Sequence, residues 1–162
     1  MIHSHSILLK ILLVIGGLAV RIIATPIAIL LKLNDKPRTR ALIVNDVGEI
    51  LLIKPATHVN QWTLPGGGYE NGESGEQCIS RELREELSIV VDPRGCKPLG
   101  QFTEQRPFLR WQLDCYKIII NQTTELRPNI EILEARWFAI KELPSTVPPY
   151  IQDVIAEHQS NR

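Results

Sequence analysis

Residues 66–89 read G-G-G-Y-E-N-G-E-S-G-E-Q-C-I-S-R-E-L-R-E-E-L-S-I. Three successive glycines permit a tight backbone path with carbonyl and amide groups exposed to a ligand. Glu82, Glu85 and Glu86 follow at offsets of three and four residues, which places their carboxylates on one face of a helix. Such carboxylates repel one another unless a cation lies between them, and a cluster of oxygen ligands suits Mg²⁺ or Mn²⁺. We therefore expect a glycine loop followed by a helix with a divalent metal site.

The same helix has an apolar side. Ile79, Leu83 and Leu87 recur every four residues and are expected to be buried, which would hold the neighbouring carboxylates rigidly. Arg81 lies beside the carboxylates and can orient one of them through a bidentate contact. Glu73, near the start of the helix, suits the positive end of the helix dipole and is expected to hydrogen-bond the loop. A solvated face of Arg–Glu pairs is the plainer interpretation, but adjacent carboxylates without a cation disfavour it.

The spacing matches a known pattern. From Gly67 the chain runs G, five residues, Glu73, seven residues, R-E-L, one residue, E-E, one residue, S-I. This resembles the Nudix box, G-x5-E-x7-R-E-U-x-E-E-x-G-U with U aliphatic, at every fixed position except Ser88, where the family has Gly. The resemblance is strongest over residues 62–89 and extends more weakly over residues 39–144, which end in W-F-x-x-x-E-L-P.

The resemblance implies a chemistry. It assigns Glu82, Glu85 and Glu86 as Mg²⁺ ligands, with Mn²⁺ as an alternative ion and the Gly66 carbonyl as a fourth ligand. It implies hydrolysis of a nucleoside diphosphate linked to another moiety X, through a metal-activated water. The three glutamates and Arg81 are then the expected catalytic residues.

Other residues are expected to contact the substrate or assist the reaction. The substrate-binding candidates are Gly67, Gly68, Glu73 and Glu134. Family members often use a further carboxylate from outside the box as general base, and the candidates here are Glu104, Glu131 and Glu134. Glu134 is preferred because it comes just before a predicted strand. One of Trp62, Trp111 and Trp137 would suit a nucleobase if it faced the cleft.

Ser88 is the one departure from the box. A glycine there would follow the end of the helix in a left-handed conformation, which costs Ser about 1 kcal/mol. We expect this residue to affect local stability more than chemistry. The three cysteines, Cys78, Cys96 and Cys115, show no metal-binding spacing and are expected to be reduced and to fill core space.

The remaining pattern predicts the fold class. Strands are expected at residues 39–45, 49–54, 61–64, 99–104, 109–120 and 135–140, with a terminal helix at 148–158. Together with the central helix, they predict an α+β protein, an α/β/α sandwich with a mixed β-sheet between helices, which is the Nudix fold. The expected domain covers residues 34–162.

Residues 1–33, which are most strongly apolar from residue 7 onward, are expected to form a helical segment separate from that domain. Lys10, Arg21 and Lys32 lie eleven residues apart and would share one stripe of a continuous helix, a pattern typical of a helix in a membrane interface. Pro26 interrupts that continuity. Three alternatives remain, namely a membrane anchor, a helix packed on its own domain or a partner, and a cleaved signal peptide. Basic residues after position 31 would place an anchored domain in the cytoplasm.

The net charge of the predicted domain indicates which kind of substrate it binds. The chain has no net formal charge, but from Asn34 onward it carries 15 basic and 18 acidic residues. We therefore expect a small nucleotide-type substrate and no nucleic acid polymer. The leading hypothesis is a Mg²⁺-dependent Nudix pyrophosphohydrolase on or near the membrane. The alternative is a non-catalytic Nudix-fold module that senses a nucleotide and reports through the N-terminal segment, although such a sensor need not keep every carboxylate of the box.

Cell fractionation tests the N-terminal segment. If residues 7–33 anchor the domain, the full chain will sediment with membranes, and deletion of residues 1–33 will move it to the soluble fraction. Recovery of the uncleaved full chain in the soluble fraction would contradict the anchor and favour a packed helix. A shortened N-terminus in the mature chain would identify a signal peptide.

Overall fold

The computed structural model of the chain describes residues 37–106 and 109–160. The predicted apolar N-terminal helix, with its membrane association through residues 7–33 and its boundary at residue 34, lies outside the described residues. Across the two described ranges, no helix is both long enough and apolar enough to cross a bilayer.

Five strands form one mixed sheet. They are β1 (Arg38–Val44), β2 (Ile50–Pro55), β3 (Lys97–Arg106), β4 (Leu109–Ile119) and β5 (Ile132–Phe138). Their order across the sheet is β3-β4-β1-β2-β5. The pair β1–β4 is parallel, whereas the other three neighbouring pairs are antiparallel. The predicted mixed sheet is confirmed.

Two helices cover opposite faces of this sheet. They are α1 (Gly75–Leu87) and α2 (Tyr150–Ser160). Alternate residues of β1 separate the two cores, because successive side chains of a strand point to opposite faces. Ala41 and Ile43 pack with the apolar side of α1, whereas Leu42 and Val44 pack with the apolar side of α2. The predicted α+β sandwich is therefore present in the described residues.

A hairpin turn joins β1 to β2 as predicted. The side-chain carbonyl of Asn45 accepts from the N–H groups of Val47 and Glu49 at 3.1 and 2.8 Å, and Gly48 has a φ of 85°. The paired register of β1 and β2 is Val44↔Ile50, close to this turn. Farther from the turn, β1 and β2 form backbone hydrogen bonds with residues 63–67.

Residues 63–68 occupy the fork where β1 and β2 diverge. Thr63 and Ile53 of β2 exchange two backbone hydrogen bonds, both of 2.9 Å. Further along, the N–H groups of Ala41 and Thr39 on β1 donate to the carbonyls of Pro65 and Gly67, at 2.9 and 2.8 Å. The predicted strand at residues 61–64 is thus an isolated bridge, and the glycine loop is fixed to the start of β1.

Both ends of α1 are capped. Ser74 accepts from the N–H of Gln77, while the Gln77 side chain accepts from the N–H of Ser74, a capping box that satisfies two helix N–H groups. At the other end Ser88 adopts the left-handed conformation with φ 59° and ψ 25°, and its N–H bonds back to the last turn. The conformation expected at Ser88 is confirmed.

Substitutions at Ser88 measure the cost of that conformation. Because a Cβ disfavours positive φ, Ser88→Gly is expected to be about 1 kcal/mol more stable than Ser88→Ala. The two variants both lose the 3.4 Å hydrogen bond from Ser88 Oγ to the Arg127 carbonyl, so their difference isolates the backbone. Urea unfolding measures it, and equal stabilities would show that this helix end carries no strain.

Candidate active site

Arg81 is the centre of a charged network at the base of the glycine loop. Its Nε and Nη2 donate to the two carboxylate oxygens of Glu73 at 2.7 and 3.1 Å. Its Nη1 donates to Glu82 at 2.9 Å and to Glu85 at 3.1 Å, and Nη2 also donates to the Gly68 carbonyl at 2.9 Å. A planar guanidinium with its donors in a fixed fork can hold several oxygen atoms at once. One side chain therefore orients three carboxylates and one loop carbonyl.

Glu73 joins this network to the loop before the helix. Besides the fork of Arg81, its carboxylate accepts from the backbone N–H of Glu70 at 2.9 Å. Hydrogen bonds from Arg81 and from this N–H hold the pKa of Glu73 at about 2. The carboxylate is thus ionised at neutral pH and ties α1 to the loop, which is the placement that the sequence predicted.

Glu82 and Glu86 face an open cleft of about 490 Å³. A carboxylate oxygen of Glu86 accepts from the N–H of Gly66 at 2.9 Å. Burial raises the pKa of Glu86 to about 7, although the Gly66 N–H and the charge of Arg40 act in the opposite direction. Burial also raises the pKa of Glu82, against the hydrogen bond from Arg81. The cleft thus holds two carboxylates whose negative charge is poorly solvated.

Glu85 is placed differently. Its side chain is 51% exposed, and the carboxylate accepts from Arg81 at 3.1 Å. It is not among the residues that line the cleft. The structure therefore brings Glu82 and Glu86 together at the cleft, whereas Glu85, the third predicted ligand, does not line it.

The three glycines meet different surroundings. Gly66 has a φ of 130°, and a Cβ there would lie 2.5 Å from the Thr39 carbonyl oxygen, so a side chain does not fit. A Cβ on Gly67 would lie 2.5 Å from the carboxylate of Glu82. A Cβ on Gly68 would meet nothing within 4 Å. The close approach of loop and helix thus depends on the first two glycines.

Arg40 was not singled out by the sequence analysis. It is 7% exposed, and its Nη1 donates to the carbonyls of Thr39 at 2.9 Å and Gly66 at 2.6 Å. The alternation of β1 contains a signal for it, because Arg40 is two residues from Leu42 and therefore shares the face of the strand that packs on α2. A charge on a buried face is rare without a partner, and here the partners include the carbonyls of Thr39 in β1 and Gly66 in the loop.

The carboxylates outside the box are dispersed. Glu131 lines the cleft, and its carbonyl accepts from the N–H of Ala56 at 2.7 Å. Glu134, on β5, pairs with Lys54 at 2.8 Å and with Arg136, and it is not among the cleft-lining residues. Glu104 is 3% exposed on β3. Of the three candidates for a base, Glu131 lies at the cleft.

The three tryptophans lie in different places, and one of them lines the cleft. Trp111 lines the cleft, with the guanidinium carbon of Arg38 4.2 Å from its ring centroid. Trp62 packs edge-on against Phe138, with ring centroids 5.0 Å apart, and Trp137 packs on the α1 side of the sheet. The cysteines are all buried and free, as predicted.

The donor set fits a divalent cation that keeps part of its water shell. Within residues 37–106 and 109–160, no group of three His, Cys, Asp or Glu side chains forms a cage that could hold a metal ion. Mg²⁺ rarely needs such a cage, because it keeps several waters and is bound through one or two carboxylates plus substrate phosphates. Glu82, Glu86 and the Gly66 carbonyl supply those protein oxygens, and the burial of both carboxylates favours a compensating cation.

Comparison with known proteins identifies related chains. A sequence model described as the NUDIX domain matches residues 35–157. The RNA pyrophosphohydrolase of Acinetobacter baylyi is 40% identical over 115 residues, which are 68% of this chain and 61% of that protein. The NAD-capped RNA hydrolase NudC of Vibrio cholerae is 33% identical over 102 residues, 62% of this chain and 36% of that protein. The chain thus spans less than two thirds of these relatives.

A solved structure shares the architecture. The MutT protein from Methanosarcina mazei superposes with a TM-score of 0.67 at 23% sequence identity, covering 78% of this chain and 97% of that one. At this level of identity the likeness supports the fold, which agrees with the sandwich described above.

Two loop variants test whether the position of Glu82 controls metal binding. Gly67→Ala is expected to displace the Glu82 carboxylate and weaken binding of Mg²⁺ by about tenfold or more, at little cost in stability, because a flexible side chain can move away. Gly68→Ala, whose new methyl meets open space, is the matched control. Isothermal titration with Mg²⁺ and thermal unfolding measure both effects, and equal Mg²⁺ affinities in the two variants would contradict the assigned geometry.

Proposed function

The chain belongs to the Nudix family, and from this membership we propose that it is a Mg²⁺-dependent pyrophosphohydrolase acting on a nucleoside diphosphate linked to another moiety. The observation that carries the proposal is the pair of buried carboxylates, Glu82 and Glu86, that faces a cleft beside the glycine loop. A pair so poorly solvated favours a divalent cation, which in turn attracts phosphate oxygens.

Different residues would bind the metal and orient its ligands. Glu82, Glu86 and the Gly66 carbonyl would hold the metal, with Glu85 joining from outside the cleft lining. The chemistry that Mg²⁺ supplies when bound is neutralisation of phosphate charge and activation of a water for attack on phosphorus. Arg81 keeps the carboxylates oriented, because its donors reach Glu82 and Glu85 at 2.9 and 3.1 Å.

The loop and the far wall of the cleft would position the substrate. Gly67 and Gly68 bring backbone within reach of a phosphate, with Glu73 holding their loop through Arg81. Arg38, stacked on Trp111, supplies a cation on the same cleft wall that suits a phosphate or the edge of a nucleobase. The substrate would therefore lie from the carboxylates toward this stacked pair.

Glu131 is the best placed acceptor for a proton from the attacking water. It lines the cleft, and its negative charge is among the causes that raise the pKa of Glu86. The loop that carries it docks on the end of α1, where the N–H groups of Arg127 and Asn129 donate to the carbonyls of Leu87 and Glu86 at 3.0 and 2.9 Å. Glu134, preferred from the sequence, is engaged with Lys54 and Arg136 instead.

RNA 5′ ends are a second substrate class. Two relatives are named as an RNA pyrophosphohydrolase and an NAD-capped RNA hydrolase, and a diphosphate linkage at an RNA terminus offers the same reacting bond. The 15 basic and 18 acidic residues from Asn34 onward do not favour a long polyanion. We therefore propose a small nucleotide as the main substrate. Membrane association through residues 7–33 remains a prediction from the sequence.

A neutral substitution at the cleft tests the mechanism. Glu86→Gln keeps the shape of the side chain but removes its charge, so Mg²⁺-dependent hydrolysis, followed as formation of the nucleoside monophosphate, is expected to fall by about 100-fold or more while the fold is kept. Glu125→Gln is the matched control, because Glu125 is 70% exposed and pairs with Arg127 at the surface. Unchanged turnover in Glu86→Gln would refute the proposed site.

A substrate panel separates the alternatives. Nucleoside diphosphate sugars, dinucleotides and nucleoside triphosphates are compared with 5′-triphosphorylated and NAD-capped RNA at equal Mg²⁺, and the small compounds are expected to give the higher kcat/KM. Higher kcat/KM for RNA would overturn the preference for small substrates. Nucleotide binding without hydrolysis of any compound would instead support the sensing module.

A further inference from the structure

Gly66 is held from both sides by side chains of opposite charge. Its N–H donates to the carboxylate of Glu86 at 2.9 Å, and its carbonyl accepts from Arg40 Nη1 at 2.6 Å. Both hydrogen bonds are charge-assisted and therefore stronger than hydrogen bonds between neutral groups. With a φ of 130°, Gly66 occupies a region that few side chains tolerate, so its conformation depends on such contacts.

We propose that Arg40 is a positioning residue of the active site: by clamping the Gly66 carbonyl, it sets the backbone that holds Glu86 and presents the loop to the metal and the phosphates. The residue that clamps the Gly66 carbonyl lies outside the Nudix box: Arg40 belongs to β1 and precedes Gly66 by 26 residues. Arg81 supports the opposite end of the loop through Gly68.

Burial of Arg40 supports this role. The residue is 7% exposed, and among the described residues its Nε has no hydrogen-bond partner. Desolvation of a guanidinium that is incompletely hydrogen-bonded costs stability, and a purely structural position would be served better by an apolar side chain. The guanidinium lies near Glu104, Glu86 and the Tyr150 hydroxyl. Its Nη1 joins β1 to the loop by donating to the carbonyl of Thr39 in β1 and to that of Gly66 in the loop.

The clamp connects Arg40 to the residues proposed to hold the metal. Gly66, which lines the cleft, is fixed at its carbonyl by Arg40 at 2.6 Å and binds Glu86 through its N–H at 2.9 Å. Removing Arg40 is therefore expected to loosen the loop and, through Glu86 and the Gly66 carbonyl, to weaken metal affinity.

Amide exchange in the metal-free full chain tests the clamp directly. In Arg40→Met, exchange of the Gly66 N–H, followed by NMR, is expected to accelerate by about tenfold or more, since a charge-assisted contact of the loop is lost. Core amides of β1 and β4 are expected to exchange as in the wild type. Arg94→Met is the control for loss of a guanidinium, because Arg94 is 90% exposed, pairs with Asp92 and does not line the cleft.

Mn²⁺ affinity, measured by electron paramagnetic resonance, tests the consequence for the site. It is expected to fall about tenfold in Arg40→Met and to change by less than about twofold in Arg94→Met. The effect of Arg40 on metal binding rests on the proposed function, whereas its effect on the loop does not. The two measurements therefore test the metal site and the positioning role separately. Faster exchange with unchanged Mn²⁺ affinity would overturn the link to the metal, whereas unchanged exchange at Gly66 would overturn the positioning role itself.

Arg40→Lys covers the case in which the Met variant does not fold. It keeps the charge and most of the stem, but a single ammonium cannot reproduce the fixed fork of a guanidinium. Exchange at Gly66 is expected to lie between those of the wild type and Arg40→Met, with near-normal exchange in the core. Equal acceleration throughout β1 and β4 would show that Arg40 serves general stability only and would contradict the proposed role.

Discussion

The site depends on two carboxylates held where water solvates them poorly. Glu82 and Glu86 project from α1 toward a loop of glycines, and burial raises the pKa values of both. A protein tolerates such groups when fixed donors or a cation compensate their charge. Arg81, Arg40 and the Gly66 N–H supply part of that compensation. The rest is available to a divalent cation and to the phosphates that accompany it.

The fold creates this arrangement by leaving a fork in the sheet. Because β1 and β2 pair close to their turn and then separate, residues 63–68 can bond to both strands and still reach α1. Packing of Ile79, Leu83 and Leu87, all fully buried, fixes the opposite wall. Stability and function are thus coupled, since the same helix contributes an apolar side to the core and a charged side to the cleft.

The sequence predicted the parts of the site that lie close together along the chain. Spacing within residues 66–89 predicted the shared helix face of Glu82 and Glu86, the contact of Arg81 with neighbouring carboxylates and the left-handed conformation at Ser88. It did not predict that Glu85 stays out of the cleft lining. Contacts between distant segments were harder to derive. Arg40 and Glu131 reach the cleft through strand pairing and a docked loop. The alternation of β1 indicates that Arg40 is buried and Glu131 is one of three candidate carboxylates, but no local pattern identifies the groups that they contact. Glu134 was preferred as the general base because it comes just before a predicted strand. In the structure it lies in β5 opposite Lys54 of β2 and forms an ion pair with that lysine.

Anomalous diffraction from crystals soaked with Mn²⁺ tests the central claim most directly. The account predicts a peak in the cleft within about 2–2.5 Å of carboxylate oxygens of Glu82 and Glu86 and of the Gly66 carbonyl oxygen. A peak elsewhere, or none in the cleft at Mn²⁺ concentrations that support turnover, would contradict it.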